Sequence, residues 1–219
     1  MKPRMPGPVG KKNVLLVNEI FYSIQGEGPF MGHPAVFLRL SGCVKPYCVF
    51  CDTPESFENG REMEVEAVFF EIVAHQCPLV VITGGEPFLQ WAAGLSELER
   101  LLIDSGLEVQ YETSGRAGLP ANVEGKIILS PKPGQWPEPE TLFRAFYLKV
   151  LWAEEDSPEI LLEIAASGFP SERVWLMALG ASRMEQLSQM PLLWEICRAS
   201  GYRFSPRLHI LAFDTQKGI

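Results

Sequence analysis

Cys43, Cys48 and Cys51 stand together in the stretch GCVKPYCVFCDT (42–53) of a 219-residue chain that has only five cysteines. Their spacing, C-x4-C-x2-C, offers three soft thiolates, the ligands that zinc and iron-sulfur clusters take in tetrahedral geometry. A structural zinc wants four ligands, commonly as two knuckles. There is no second C-x2-C here, and the three histidines His33, His75 and His209 are scattered. A plant-type 2Fe-2S centre uses the same spacing with a distant fourth cysteine, for which Cys77 is the nominal candidate. A 4Fe-4S cluster on three cysteines would instead leave one iron open to a substrate, and an open position is what separates catalytic from structural metal sites. A disulfide framework is the poor reading, because the cysteine count is odd and nothing marks the chain as secreted. Cys77 and Cys197 lie away from the trio and read as small buried apolar residues.

The elements that would position these thiols follow from hydrophobic patterning. Strand-like runs recur at VLLVNEIFYSI, AVFLRL, LVVIT, EVQYET, KIILS, FYLKVLW and RVWLMAL. Between most of them lie helix-like segments: EMEVEAVFFEIVAHQ, LQWAAGLSELERLLIDSG, SPEILLEIAASG and SRMEQLSQMPLLWEICRASG. In the second, Leu95, Leu98 and Leu102 share one face, and Gly106 sits where a C-cap falls. Pro191 predicts a kink or a new start in the last. The βα alternation predicts an α/β fold with a mainly parallel sheet. Six or seven βα units are fewer than the eight of a closed TIM barrel, so either an incomplete TIM-like barrel or a doubly wound sheet is expected. Both put the site beyond the C-terminal ends of the strands. That placement unites the chemistry: AVFLRL runs into the cysteine loop, LVVIT into GGEP, EVQYE into TSG and KIILS into PKP.

Bulk composition narrows the classes. Hydrophobic content of 47% and charged content of 21% suit a globular chain with a real core, so metal is not needed merely to hold the fold. A net charge of -8 gives no basic stripe for phosphates, which argues against nucleic acid as the main partner. No apolar run is long enough to cross a bilayer, and the basic MKPRMPGPVGKK has no apolar segment behind it. Residues 1–12 read as a flexible lead-in and 13–219 as a single domain, with no membrane association and a cytoplasmic location expected.

The cysteine loop and the strand ends together resemble the radical S-adenosylmethionine enzymes, whose usual motif is C-x3-C-x2-C after the first barrel strand. This chain carries one residue more in the first gap. The resemblance implies an incomplete barrel, a radical SAM core, and a 4Fe-4S cluster on Cys43, Cys48 and Cys51 whose open iron takes S-adenosyl-L-methionine. ITGGEP (82–87), ETSG (112–115) and SPKP (130–133) fall where that family holds the cofactor. It implies cofactor contacts at Phe50, Cys51, Asp52, Gly85, Glu86, Thr113, Ser114, Ser130, Pro131 and Lys132, with Met177 of LMALG on the adenine side.

More narrowly, NEIFYSIQGEGPFMGHPAVFLRLSGC (18–43) with CDT (51–53) is similar to the 7-carboxy-7-deazaguanine synthase family. That likeness implies ring contraction of 6-carboxy-5,6,7,8-tetrahydropterin to 7-carboxy-7-deazaguanine with loss of ammonia, a step of queuosine and deazapurine synthesis. It also implies Mg2+, a homodimer and an external one-electron donor of flavodoxin or ferredoxin type. Ile24, Gln25, Gly26 and Glu27 match the segment that meets the pterin. Arg39 matches a residue that pairs with the substrate carboxylate, for which a guanidinium fork is well shaped. Thr53 matches a magnesium ligand, Thr83 a substrate contact, and SPRLHILAFDTQKGI a C-terminal PQxH segment that implicates His209 and the terminal carboxylate of Ile219. Plainer readings stand beside these. Arg39 also reads as a partner for Glu19 or Glu112, His209 as a core histidine, Thr53 as a turn residue, and Lys132 and Lys149 as neutralisers of a carboxylate-rich surface. Two rival functions stay open at this level: a 2Fe-2S electron carrier and a radical SAM activase of another protein.

Overall fold

The computed structural model describes residues 13–132, 134–153 and 157–216. The lead-in at 1–12 and Ile219 lie outside them. Among the described residues nine strands form one sheet in the order β3-β1-β2-β4-β5-β6-β7-β8-β9. β1 (Val14–Ile24) is antiparallel to both β2 (Pro34–Leu40) and β3 (Arg61–Glu64). From β2 onward every pairing is parallel, through β4 (Leu79–Thr83), β5 (Glu108–Thr113), β6 (Lys126–Leu129), β7 (Tyr147–Trp152), β8 (Val174–Ala178) and β9 (Arg203–Ser205). The end strands β3 and β9 do not pair with each other, so the α/β barrel is incomplete.

The seven expected strands all form. β3 and β9 escape pattern reading because four and three residues are too few to show a period. β3 also corrects the first helix: Arg61–Glu64 pairs with Val14–Val17, and α1 spans only Val65–Ala74. The next helix-like segment divides too. A 3-10 turn covers Pro87–Ala93, Gly94 breaks it with φ of 150°, and α2 runs over Leu95–Asp104. α3 (Pro139–Arg144) follows the proline-rich loop, and α4 (Ser157–Ser167) and α5 (Arg183–Ser200) complete the crossovers. α5 runs unbroken through Pro191, held at its start by a Ser182–Glu185 capping box and stopped by Gly201 in the left-handed conformation. α6 (Leu208–Phe213) ends the described chain.

One face of the sheet carries Val36, Leu38, Leu40, Val80, Ile82, Tyr111, Leu129, Leu148, Val150 and Leu176 into the main core, where α1, α2 and α5 cover it. Strand alternation turns the intervening residues to the barrel interior. Low in that interior, Ala35, Leu79 and Val81 pack with Phe30 and Phe37 as an apolar floor. Above the floor the inward residues become polar: Arg39, Thr83, Glu112 and Lys149.

Candidate functional site

The upper interior is a cavity of about 690 Å3. Each parallel strand delivers its chemistry at its C-terminal end, as parallel α/β sheets do. Cys43, Cys48 and Cys51 line one wall together with Phe50, Asp52 and Thr53. Thr83, Gly85, Thr113, Ser114, Ser130, Lys132 and Met177 line the cavity as well, with Ile24, Gln25, Gly26, Glu27, Arg39 and His209. Glu86 and Pro131 sit behind this lining, both buried.

The wall is built by stitching two loops together. Glu86 N donates to Gly42 O at 2.7 Å, Gly42 N to Ser56 O at 2.9 Å, and Gly85 N to Ser56 Oγ at 3.1 Å. This close approach demands glycine. A Cβ on Gly85 would stand 1.9 Å from Gly42 O and one on Gly84 2.2 Å from Arg39 Cγ, at φ values of +29° and +76°. Glu86 then turns away from the cavity and accepts from Thr113 Oγ1 at 2.5 Å, Ser114 Oγ at 2.6 Å and Ser114 N at 3.1 Å. The TGGE and ETSG ends are thereby locked to each other and to the root of the cysteine loop.

All five cysteines are free. Burial raises the Cys43 thiol, and Glu86, Cys48 and Cys51 push it the same way, so a bound cation is what would favour its thiolate. Among the described residues no three His, Cys, Asp or Glu side chains are close enough to hold an ion as they lie. The donor set nonetheless fits a cluster with three protein ligands. Cys77 cannot supply a fourth: it precedes β4 at the opposite end of the sheet, with its Sγ 3.2 Å from Pro34 O. One strand length of about 17 Å separates those ends. The 2Fe-2S alternative fails on that placement. No histidine stands with the thiols as a zinc ligand either: His33 contacts Phe30, His75 stacks on Tyr22, and His209 packs on Gly26 beside Glu27.

The rest of the cavity is a chain of alternating charges. Lys149 Nζ lies 2.8 Å from Glu27 Oε2 and 2.6 Å from Glu112 Oε2. Arg207 donates through Nε to Glu27 Oε1 at 2.8 Å, through Nη1 to Gly180 O at 3.1 Å, and through Nη2 to Asp52. Burial opposes ionisation of Glu27, but Lys149, Arg207 and His209 overcome it and hold the carboxyl far below its ordinary range. Glu112 goes the other way: burial raises it more than Lys149 lowers it. His209 is pushed down, first by burial, and its Nε2 stands 3.9 Å from Glu27 Oε1. Its ring lies against Gly26, where a Cβ would come within 2.3 Å of Nδ1, and Leu208 N donates to Gly26 O at 2.8 Å.

The plainer readings divide. Arg39 pairs with Glu19 at 2.7 Å on the cavity rim and leaves Glu112 to Lys149. His209 lines the cavity and is no core residue. Thr53 begins a 3-10 turn without capping it through its hydroxyl, which stands 3.8 Å from Cys51 Sγ. Lys149 is buried and Lys132 half-buried in the cavity wall, neither spread on a surface, and among the described residues Lys132 makes one side-chain bond, to Ser130 Oγ at 3.1 Å. The sequence did carry a signal for Lys149, a lysine inside the apolar strand YLKVLW. Arg207 was missed, and in SPRLHILAF nothing about its spacing distinguishes it from a surface arginine.

No model of a known protein family matches the chain. It is 37% identical to the 7-carboxy-7-deazaguanine synthase of Hyperthermus butylicus over 219 aligned positions, covering 90% of this chain and 92% of the relative. It is 36% identical to the synthase of the same name from Pyrobaculum aerophilum, covering 92% and 96%. Among solved structures it superposes on QueE from Escherichia coli with a TM-score of 0.73 at 26% identity, over 90% of this chain and 95% of that one.

Proposed function

The chain belongs to the 7-carboxy-7-deazaguanine synthase family, and we propose that the cavity carries out that reaction as a radical S-adenosylmethionine lyase. It would contract 6-carboxy-5,6,7,8-tetrahydropterin to 7-carboxy-7-deazaguanine with loss of ammonia. The observation that carries the reading is the meeting of three unpaired thiols with the TGGE, ETSG and SPK strand ends around one cavity. When bound, the 4Fe-4S cluster and S-adenosylmethionine supply a 5'-deoxyadenosyl radical, using one electron from an external flavodoxin- or ferredoxin-type donor.

The protein's part is to hold and orient. Cys43, Cys48 and Cys51 take the cluster. The turn Gly84–Glu86 offers backbone to the cofactor's amino group, Thr113, Ser114, Ser130 and Pro131 flank its ribose and carboxylate, and Met177 faces the adenine. Lys132 is a half-buried ammonium that pairs with no carboxylate among the described residues, a fit for the cofactor's own carboxylate. Phe50 and Asp52 close that side. The pterin would lie over Ile24–Glu27 between Thr83 and His209, its carboxylate toward Arg39, with Mg2+ on the hard hydroxyl of Thr53 and substrate oxygens. Assembly as a homodimer belongs to the same reading. So does a cytoplasmic location, where thiols stay reduced.

The test is anaerobic reconstitution, reduction and incubation with S-adenosylmethionine, with and without the carboxypterin. The reading expects 5'-deoxyadenosine and the deazaguanine together, and an unchanged cluster in Cys77→Ser. Deoxyadenosine without deazaguanine would sink the substrate and leave an activase; loss of the cluster in Cys77→Ser would sink the whole.

A further inference from the structure

Two segments far apart in sequence meet at Arg207. Its guanidinium binds Asp52, which follows Cys51 directly, and Glu27, which belongs to the segment proposed to meet the pterin. We propose that Arg207 is a positioning residue, a clasp that fastens the cysteine loop to the substrate side of the barrel and fixes their register.

The surroundings favour a clasp over a stray surface pair. Arg207 is only 7% exposed. Its three bonded nitrogens point to three separate elements: Glu27 after β1, Asp52 in the cysteine loop, and Gly180 O after β8. A planar fork with donors fixed in direction can hold such an arrangement, and an ammonium cannot. Its own backbone is held as well, because Leu211 N donates to Arg207 O at 3.0 Å and the next residue, Leu208, donates to Gly26 O at 2.8 Å. The cysteine loop needs such a tie. Its root at Gly42 is stitched to Ser56 and Glu86, whereas the stretch that carries Cys48 and Cys51 has few bonds outside itself: Arg116 Nη1 to Pro46 O at 3.1 Å, Tyr47 to Glu58, and the Asp52 pair. Of these, the Asp52 pair lies nearest in sequence to the last cysteine. It also reaches the cavity interior, where Glu27 continues it to Lys149 and Glu112.

The clasp rests on the reading of the three cysteines as cluster ligands, and the experiment separates the two. Wild type, Asp52→Asn, Arg207→Gln, Arg207→Lys and the Asp52→Asn/Arg207→Gln double variant are compared in two ways. Hydrogen exchange of segment 43–57 is followed on the full chain before reconstitution, and iron release to a chelator after it. Both single changes should speed loop exchange and iron release, by about fivefold for a pair of this partly exposed kind. The double variant should add nothing beyond the larger single effect, since both remove one interaction. Arg207→Lys should fall between. Arg207→Gln should also raise KM for the carboxypterin, because Arg207 reaches Glu27 as well. Additive effects in the double variant, or release unchanged in Asp52→Asn, would overturn the clasp. Should Arg207→Gln fail to fold, Asp52→Asn still decides, because Asp52 is half exposed and its loss does not threaten the core. A wild-type chain that takes up no cluster would overturn the cysteine reading instead.

Discussion

At the scale of single residues, space and charge make different demands. Gly85 is a demand of space: its hydrogen would have to become a methyl 1.9 Å from Gly42 O, in a backbone conformation that side chains avoid. Gly85→Ala should therefore push the GGE turn off the cysteine loop at a cost of about 1–3 kcal/mol in strain. The expected outcome is a lower melting temperature together with a lower iron content after reconstitution; a variant that melts earlier but loads iron fully would show that the two loops need not touch. Lys149 is a demand of charge. Lys149→Met leaves Glu112 with only the amides of Gln110 and Gln25 among the described residues, and removing one member of a buried pair costs about 3–5 kcal/mol. The sign with pH follows. In the wild type, Glu27 has a folded value below its ordinary 4.5, so its contribution is complete above that pH and fades as pH falls below it. In the variant Glu112, already raised by burial in the wild type, loses the Lys149 charge that lowered it, so it costs stability while ionised and that cost is relieved as pH falls through its raised value. The gap in melting temperature between the two proteins should narrow from about pH 7 to about pH 5, and a gap that widens would refute the assignment.

Elements show what patterning reads and what it does not. β4, with LVVIT buried along its length, is legible because a doubly covered strand is a continuous apolar run. β3 and the 3-10 turn after GGE are not, because what holds them is tertiary. The turn exists largely to place Gln90, whose amide Oε1 accepts from Leu16 N at 2.7 Å while Nε2 donates to Leu16 O at 3.0 Å and Ser41 O at 2.8 Å. A side chain here takes the place of a neighbouring strand, just where the β1 register shifts between Val17 and Glu19. No hydrophobic period announces that. Gln90→Met keeps the size and removes the bonds, leaving Leu16 N and Ser41 O without this partner at about 1–3 kcal/mol each, while Leu16 O keeps Ser41 N at 2.9 Å. Denaturant unfolding should show that loss with the m-value unchanged, and because Ser41 is the root of the cysteine loop, iron uptake should slow as well. Unfolding at wild-type denaturant would mean that water replaces the amide.

For the molecule as a whole, the barrel's incompleteness decides how the site is closed. The strand ends that bear GGE, TSG and SPK were legible because their odd polar chemistry recurs at one level of a parallel sheet. The closing side was not. It depends on Arg207 and His209, brought back over Gly26 by β9 and α6, and on Lys149 and Glu112 meeting across β6, pairings fixed by strand order and not by any local pattern. The C-terminal segment is thus an addition to a sheet that is already built. Among the described residues its links to the body are the Arg207 bonds to Glu27, Asp52 and Gly180 O, Ile210, which is buried, Leu208 N to Gly26 O, and Arg183, which donates to Leu211 O, Ala212 O and the Asp214 carboxylate. A chain ended at Pro206 should therefore keep its circular dichroism and take up the cluster. It should release iron as fast as Arg207→Gln, and its turnover of the carboxypterin should fall about a hundredfold, since Glu27 loses its guanidinium, a charged contact worth about 1.5–3 kcal/mol, and the pterin loses a hydrogen bond to His209 worth about 0.5–1.5 kcal/mol. Retention of turnover within a few-fold of wild type would place the closing side of the cavity elsewhere. Loss of the native spectrum would show that α6 is part of the core and not a lid upon it.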